Sequence, residues 1–368
     1  MHIIDLSYYY SAHSTDPDLL LSNHHPNIGY VNYLPPGCQM SVIKFMNYEG
    51  KLEKNGVSYY FFKGSSSRFW MPYTVHQFIK QLQPDVVLLH GLIYPLQVIG
   101  LKKQLGKKAK LIVQHHAEQP ASGLKAYGQR LADKHIDAYL FTAKEQADPW
   151  VKRGIIKSDK KITEVTEGST DFEKINKEEA QCITGINGNN NFLWVGRLDK
   201  NKDPLTVVKA FLQYAQTAPE SKLFMIYQQN ELEKSVTDLL AKNNTKNHIL
   251  LVGKKPHEEL LYWYNSVDFF LSGSHKEGSG YALIEAMACG CIPVVTDIPS
   301  FRKITAGGKT GFLYEAGNVP ALYAALCSLR NIPKKEYSAK VIAHFNQNLS
   351  FKSIADSIYA VCTKLMQI

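Results

Sequence analysis

EGSGYALIEAMACGCIPVVTD, residues 277–297, predicts a glycine-rich turn, a short apolar helix and a buried strand in direct succession. The turn is Gly278-Ser279-Gly280, and the helix is predicted from about residue 281 to residue 289, where Gly290 ends it as a typical C-cap glycine. Another apolar run, residues 267–271, predicts a buried strand before the turn. A strand, a turn, a helix and a further strand in this order are typical of a parallel α/β sheet.

Two glutamates accompany this turn. The turn itself places backbone N–H groups at a helix N-terminus, where the helix dipole suits a phosphate. Glu277 precedes the turn, and Glu285 lies a little over one helical turn inside the helix. Carboxylates beside a phosphate would repel it, unless each of them accepts hydrogen bonds from neutral hydroxyls, which a nucleotide sugar carries on its sugar ring and on its ribose. The alternative for each glutamate alone is a solvated helix charge.

Apolar runs and helical patterns alternate along the whole chain and fall into two series. In the first series, runs such as residues 86–89 and 111–113 are separated by helical patterns. The second series begins near residue 192. Between the two lies the polar segment ITGINGNNN, residues 183–191, which predicts a linker. The sequence therefore predicts two doubly wound α/β domains with a cleft between them, and ligands in such sheets bind beyond the carboxyl ends of the strands.

A second charged loop lies in VGRLDKNKDP, residues 195–204. A strand is predicted to end at Gly196, and a helix to begin after Pro204. Arg197 and Lys202 would therefore lie in a loop at the carboxyl end of a strand. Two fixed cations at this place can stabilise the negative charge of a departing diphosphate without a metal ion. The alternative is a solvated basic loop.

Together, these segments resemble the signature of the family-four retaining glycosyltransferases, nucleotide-sugar-dependent enzymes with the GT-B fold of two Rossmann-like domains that face each other across a cleft. The family shows a Gly-Arg pair with a lysine five positions after the arginine, here Gly196, Arg197 and Lys202. It also shows two glutamates separated by seven residues, here Glu277 and Glu285, followed by a helix and strand that correspond to AMACGCIPVV. The resemblance covers the second domain well and the first more loosely.

The resemblance implies a role for each matching residue. Arg197 and Lys202 would bind the diphosphate of the sugar donor and stabilise it as the leaving group. Glu277 would accept hydrogen bonds from the donor sugar, and Glu285 would hold the ribose hydroxyls. The other donor-binding residues would be Gly196, Gly278, Ser279, Gly280, Tyr281, Ala282 and Lys254, the last of these in a turn that resembles the family segment whose backbone meets the nucleobase.

The first domain contributes one histidine to the predicted site. LIVQHHAE, residues 111–118, resembles a family strand after which a histidine faces the donor sugar across the cleft. His116 matches that position best and is predicted as a catalytic residue, together with the two cations and Glu277. The alternative is a strand-end histidine that is satisfied by solvent or by a neighbour. His90, at the end of PDVVLLHG, matches a family histidine more weakly.

Domain boundaries also follow from the resemblance. It implies an N-terminal acceptor-side domain over residues 1–175, a C-terminal donor-binding domain over residues 190–345, and a last helix, residues 350–368, that crosses back to the first domain. The Gly-Gly loop that many members carry after the first strand is missing, so acceptor handling must differ or that loop contributes less. The Pro-Asn-Gly segment before the linker appears as Thr166-Glu167-Gly168.

Composition sets the remaining expectations. A hydrophobic content of 45% and a charged content of 20% are ordinary for a globular protein. The six cysteines fit neither a disulfide framework nor a zinc site, so we interpret them as reduced core thiols rather than redox or metal-binding residues. The N-terminal segment MHIIDLSYYY lacks the features of a secretory signal, and no window approaches the roughly 20 apolar residues of a membrane span, which together predict a cytoplasmic protein.

The net charge of +9 favours anionic partners. Its clearest local source is LQVIGLKKQLGKKAK, residues 96–110. We favour a surface helix with a solvated end; the alternative is a patch that contacts anionic lipid and holds the protein peripherally on the inner face of the membrane. No recognised nucleic-acid-binding module is present, so nucleic acid is not an expected partner.

The sequence therefore predicts a retaining glycosyltransferase of polysaccharide biosynthesis. It would transfer a sugar from a UDP- or GDP-linked donor to a glycan or lipid-linked glycan acceptor, with no metal or other cofactor. Two alternatives stay open: a GT-B phosphorylase that uses inorganic phosphate, and a nucleotide-sugar-binding scaffold without turnover, which the missing Gly-Gly loop motivates. The sequence leaves open the sugar, the base, the acceptor, the linkage and the oligomeric state.

Overall fold

The computed structural model of the chain describes residues 1–67, 69–228, 231–243 and 248–367. The chain divides into two compact units, Met1–Ser169 with Phe351–Ile368, and Thr170–Ser350. Each unit has its own parallel-dominated sheet and its own apolar cores, so the predicted α/β class is confirmed.

The boundary between the units falls between Ser169 and Thr170, so the polar segment 183–191 does not link them, contrary to our prediction. Asn191 is buried, and its side-chain amide donates to the carbonyls of Asn187 and Gly188 at 3.2 and 3.0 Å. The asparagines of this segment therefore close a turn inside the second unit, because their amides satisfy the carbonyls of the turn.

The first unit is built on an eight-stranded sheet with the order β3-β4-β2-β1-β5-β6-β7-β8. All neighbouring strands are parallel except β3 and β4, which form an antiparallel pair. The strands are β1 (His2–Ser11), β2 (Gln39–Met46), β3 (Gly50–Lys54), β4 (Val57–Phe62), β5 (Val86–His90), β6 (Lys110–Gln114), β7 (Ala138–Phe141) and β8 (Ile162–Glu164). The helices between them are α1 (Pro17–Ile28), α2 (Tyr73–Gln81), α3 (Pro95–Leu105), α4 (Gly123–Asp133) and α5 (Asp148–Lys152).

The second unit has a six-stranded, fully parallel sheet with the order β11-β10-β9-β12-β13-β14. Its strands are β9 (Asn191–Gly196), β10 (Lys222–Tyr227), β11 (Ile249–Gly253), β12 (Phe269–Ser272), β13 (Ile292–Thr296) and β14 (Phe312–Tyr314). Its helices are α6 (Lys177–Thr184), α7 (Pro204–Ala215), α8 (Glu233–Lys242), α9 (Leu260–Ser266), α10 (Tyr281–Ala288), α11 (Pro299–Ile304), α12 (Val319–Ser328) and α13 (Lys334–Asn348).

The last helix, α14 (Phe351–Met366), belongs to the first unit. It buries Phe351, Ile354 and Ile358 in the same core as Ile3 of β1. This apolar spacing of three to four residues is the pattern of one helix face. Residue 368, which we included in the predicted helix, lies outside the described residues. No described helix combines the length and the apolar character that a membrane span requires.

The order of strands in each sheet reverses at one place. In the first unit the reversal lies between β1 and β5, and in the second it lies between β9 and β12. Ligands in open α/β sheets bind at the carboxyl ends of the strands beside such a reversal. The loops after β9 and β12 of the second unit are therefore the expected ligand-binding loops, and these are the two loops that the sequence motifs occupy.

Candidate functional site

The loops after β9 and β12 are held together by Asn201. Its carbonyl accepts the backbone N–H of His275 at 2.8 Å, and its side-chain oxygen accepts the N–H of Lys276 at 3.1 Å. The side-chain amide donates back to the carbonyl of Lys276 at 3.0 Å. A Cβ at Gly273 would lie 2.9 Å from the carbonyl oxygen of Asp203, so the two backbones also touch directly. These contacts fix the loop of the predicted cations against the loop of the predicted glutamates.

Both predicted cations are paired with carboxylates. Lys202 Nζ lies 2.5 Å from Oε1 of Glu277, and both side chains are mostly buried. Arg197 Nε lies 3.0 Å from Oδ2 of Asp199, and its side chain is half exposed. The structure thus brings Lys202 and Glu277 together, as expected for groups that act on adjacent parts of one ligand. An anionic ligand has to share or replace these carboxylate partners.

The glycine-rich turn ends at a position whose backbone conformation favours glycine. Gly280, the N-cap of α10, has a φ of 64°, in the left-handed region. A Cβ there would lie 2.9 Å from the ring of Phe301. Ser279 beside it is buried, while Tyr281 and Ala282 in the first turn of α10 are partly buried. Gly278, Ser279 and Gly280 therefore bring the chain to the start of α10 in the strand–turn–helix unit that the sequence predicts.

Glu285 lies on α10 and has two partners that the sequence did not indicate. Its Oε1 contacts Nε2 of His257 at 2.7 Å, and its Oε2 accepts the hydroxyl of Tyr264 at 3.0 Å. The hydrogen bond to Glu285 raises the pKa of His257 against the opposing effect of burial. Phe172 stacks on the His257 ring, with the ring centroids 5.1 Å apart. His257 is half exposed, so it covers Glu285 from the solvent side.

A pocket of about 310 Å³ opens beside these groups in the second unit. It brings together Gly196, Arg197, Lys202 and Lys254 of the predicted residues. Its full lining is Val195, Gly196, Arg197, Lys202, Ile226, Tyr227, Gln228, Lys254, Lys255, Pro256, His257 and Leu260. Four of these are Lys or Arg and none is Asp or Glu, so the pocket suits an anionic ligand. Glu277 and Glu285 are not part of this lining, but each contacts a residue that is. Glu277 contacts Lys202, and Glu285 contacts His257.

His116, the remaining predicted residue, lies in the first unit, just after β6. Its Nδ1 contacts Oε1 of Glu167, and its Nε2 lies 2.7 Å from Nδ1 of His90. Both ring nitrogens therefore have protein partners, which matches the alternative of a histidine satisfied by neighbours. Glu167 lies in the segment Thr166-Glu167-Gly168, which stands in place of the Pro-Asn-Gly segment of the family pattern.

The cysteines only partly match the predicted core thiols. Cys289, Cys291 and Cys362 are buried, and burial raises the pKa of the Cys291 thiol to about 12. Cys182 is exposed on the last turns of α6, contrary to the prediction, because it lies on the side of that helix opposite to buried Ala180. In the part of the chain that the structure describes, no group of three or more His, Cys, Asp or Glu side chains is arranged to hold a metal ion.

Comparisons with known proteins identify the family. The model of the family described as "Glycosyl transferases group 1" matches residues 152–343. The lipopolysaccharide core biosynthesis mannosyltransferase LpsB of Rhizobium meliloti is 31% identical over 139 residues, which are 37% of this chain and 39% of that protein. The GDP-mannose:cellobiosyl-diphosphopolyprenol alpha-mannosyltransferase of Xanthomonas campestris is 23% identical over 70% of this chain and 67% of its own length. The chain thus matches between about two fifths and two thirds of these relatives.

Solved structures share the fold. A glycosyltransferase from Rickettsia africae superposes with a TM-score of 0.76 at 15% identity, over 100% of this chain and 98% of that one. Anabaena HepE, solved in complex with UDP and glucose, gives a TM-score of 0.69 at 12% identity, over 99% and 100% of the two chains. Both similarities confirm the GT-B fold class. Because the family match spans more than half of the chain, the protein belongs to the group 1 glycosyltransferase family.

Proposed function

We propose that the protein transfers a sugar, with retention at the anomeric carbon, from a nucleoside-diphosphate sugar to a glycan or lipid-linked glycan. The observation that carries this proposal is the basic pocket of the second unit, which Arg197 and Lys202 line. Arg197 contacts the carboxylate of Asp199, and Lys202 contacts that of Glu277. Arg197 and Lys202 bind the diphosphate, Glu277 binds the sugar hydroxyls, and Glu285 binds the ribose. The relatives' names support the acceptor class, because that of the Xanthomonas campestris enzyme specifies a diphosphopolyprenol.

No metal ion takes part in the proposed reaction. Two cations fixed in one loop can neutralise the charge that develops on the departing diphosphate, which is the task a divalent ion performs in other sites. The side chain of Lys202 runs past Gly196, where an added Cβ would lie 3.5 Å from Cδ of the lysine. The lysine stem thus lies against the end of β9, and its ammonium group points to Glu277.

Nucleotide binding tests the proposal directly. In a thermal-shift experiment with excess chelator, we expect UDP or GDP and the matching nucleotide sugar to raise the melting temperature, because a ligand that binds only the folded state stabilises it, by about 2.7 kcal/mol at a hundredfold excess over Kd. Stabilisation by phosphate with a disaccharide, and by no nucleotide, would favour the phosphorylase. Nucleotide-sugar binding without transfer or hydrolysis would favour the scaffold.

We also infer a peripheral membrane contact that combines the lysines of residues 102–110 with apolar side chains outside the buried face of α3. The apolar side of α3 is buried, since Val98 and Leu101 belong to the core. Exposed apolar side chains lie instead at the starts of α2, α3 and α4, namely Tyr73, Leu96, Leu124 and Tyr127. Residues 63–131 around them hold ten Lys or Arg and two Asp or Glu. Aromatic and basic side chains together suit an anionic lipid surface.

Vesicle flotation tests this contact. We expect the protein to float with vesicles that contain anionic phospholipid and not with purely zwitterionic ones, and we expect Leu124→Ser with Tyr127→Ser to abolish flotation. Leu124 is 91% exposed, so its replacement leaves the core intact. Leu19→Ser, which removes an apolar side chain that is 59% exposed on α1, is the matched control. Equal flotation of the double variant and the wild type would contradict the inference.

A further inference from the structure

Four side chains of the first unit form one continuous hydrogen-bonded chain. His90, the last residue of β5, contacts Oδ2 of Asp5 through Nε2 at 2.7 Å. Its other ring nitrogen, Nδ1, lies 2.7 Å from Nε2 of His116. His116 Nδ1 in turn contacts Oε1 of Glu167, in the segment after β8. We call Asp5, His90, His116 and Glu167 the imidazole chain.

The imidazole chain needs more hydrogens than its members bring. Each of its three contacts requires one hydrogen between the two heavy atoms. An ionised carboxylate brings none, and a neutral imidazole brings one. Two carboxylates and two neutral imidazoles thus supply two hydrogens for three contacts. If His90 donates to Asp5 and His116 donates to Glu167, the two nitrogens between the rings face each other as lone pairs at 2.7 Å.

We propose that the imidazole chain holds one extra proton at neutral pH, so that the two histidines carry a single positive charge, and that Glu167 is a positioning residue that keeps this charge on His116. Burial lowers the pKa of His90 in spite of its contact with Asp5. Burial also acts to lower the pKa of His116, but the hydrogen bond and the charge of Glu167 outweigh it and raise that pKa. The proton therefore lies toward the Glu167 end.

The buried charges around Asp5 balance with this proton in place. Asp5 accepts Lys44 Nζ at 3.1 Å and the hydroxyl of Tyr30 at 2.8 Å, and both Asp5 and Lys44 are buried. Against the effect of burial, the charges of His90 and Lys44 hold the pKa of Asp5 far below its usual range. The two carboxylates of the imidazole chain, Lys44 and one extra proton sum to zero charge, and buried charges require such compensation. The nearby carboxylate of Glu118 further favours a positive charge on His116.

The other titratable groups at this place do not supply the missing hydrogen. His24 on α1 faces Lys44 and the imidazole chain, and burial lowers its pKa to about 4, so it is neutral. Glu118, after β6, accepts the backbone N–H groups of Leu92 at 3.0 Å and of His116 at 2.7 Å. His115 Nε2 donates to the backbone carbonyl of Glu118 at 3.0 Å and not to the imidazole chain. The extra proton therefore belongs to the imidazole chain itself.

The extra proton changes the role of His116 in the proposed reaction. Only this consequence rests on the proposed function; the presence of the proton does not. Because both ring nitrogens are engaged, His116 acts as a fixed positive charge rather than as a general base or a hydrogen-bond donor to a sugar hydroxyl. Its side chain is 22% exposed, so the charge is accessible from solvent. A fixed cation favours an anionic ligand, and the diphosphate of the sugar donor and that of a lipid-linked acceptor are of this class.

Nitrogen NMR of the histidine rings in the whole 368-residue chain tests the extra proton without any substrate. We expect one imidazolium above pH 7 in the wild type, and in Glu167→Gln we expect its proton to be lost about one pH unit lower, a tenfold lower proton affinity. Glutamine keeps the size of the side chain and an acceptor oxygen. His90→Gln removes the contact between the rings, and with it the need for a third hydrogen, so the affinity of the chain for the extra proton should fall. Two neutral imidazoles at pH 7 in the wild type would overturn the proposal.

The pH dependence of transfer tests the role of Glu167. We expect the alkaline limb of the profile to move to lower pH by about one unit in Glu167→Gln, so that the loss of activity grows toward alkaline pH and is small on the acid side. The substrate whose KM rises with pH, donor or acceptor, is the one whose binding depends on the charge of His116. Asp133→Asn is the matched control, because Asp133 is a buried carboxylate of the same unit, bound to Lys161 at 3.2 Å. An equal loss of transfer activity in Glu167→Gln at every pH would show that Glu167 has only a structural role.

Discussion

Replacement of Lys202 by methionine is expected to lower kcat for transfer by about 10²- to 10³-fold, the usual loss when one preorganised group that stabilises transition-state charge is removed. Methionine keeps most of the stem that lies against Gly196 and removes only the ammonium group. The loss should appear mainly in kcat, because the charge on the diphosphate is largest as the sugar departs. Steady-state kinetics with purified variant and wild type measure it.

The structure supplies a matched control for this variant. Lys209 is an exposed lysine on α7, the helix that follows the same loop, and Lys209→Met removes the same charge from the same unit. Its kcat should stay within twofold of the wild type. Wild-type turnover in Lys202→Met, with a normal melting temperature, would exclude the proposed stabilisation of the leaving group.

Much of the fold follows from periodicity in the sequence. Strands β5, β6 and β9 lie where the apolar runs place them, because buried parallel strands need continuous apolar residues. The region of β2, β3 and β4 was not predicted. In β2 the run is interrupted by Lys44, which is buried because it pairs with Asp5 of the neighbouring strand. The burial of Lys44 depends on its ion pair with a residue of another strand, so the local sequence pattern could not predict it.

The candidate site, too, was predicted from the sequence only in part. The sequence placed Arg197, Lys202 and Glu277 on the correct loops, since glycine-rich turns and strand ends leave local signals. It did not indicate Asn201, which ties the two loops together, because a lone asparagine in a polar loop has no distinctive pattern. Nor did it indicate that His257 covers Glu285, a contact between residues 28 positions apart. Partners of this kind are set by tertiary packing.

Glu285→Gln is expected to weaken the binding of the free nucleoside diphosphate by about 10- to 150-fold, the equivalent of losing a hydrogen bond to a charged acceptor, at 1.5–3 kcal/mol. Glutamine retains one oxygen for the hydroxyl of Tyr264, so the variant should stay folded. Glu277→Gln is the informative contrast. If Glu277 binds the sugar, that variant should bind UDP or GDP normally and lose affinity only for the nucleotide sugar. Calorimetric titrations with both ligands separate the two roles.

The contact of Glu285 with His257 adds a pH signature to this prediction. The hydrogen bond to Glu285 raises the pKa of His257, so its positive charge persists to higher pH than usual and competes with the ribose hydroxyls for the carboxylate. As the pH rises through this pKa the charge is lost, the competition ends, and nucleotide affinity in the wild type should increase. In Glu285→Gln the increase should disappear, because the charge that attracts His257 is gone. Nucleotide affinity that falls over the same pH range in the wild type would show that His257 binds the nucleotide instead of competing with it.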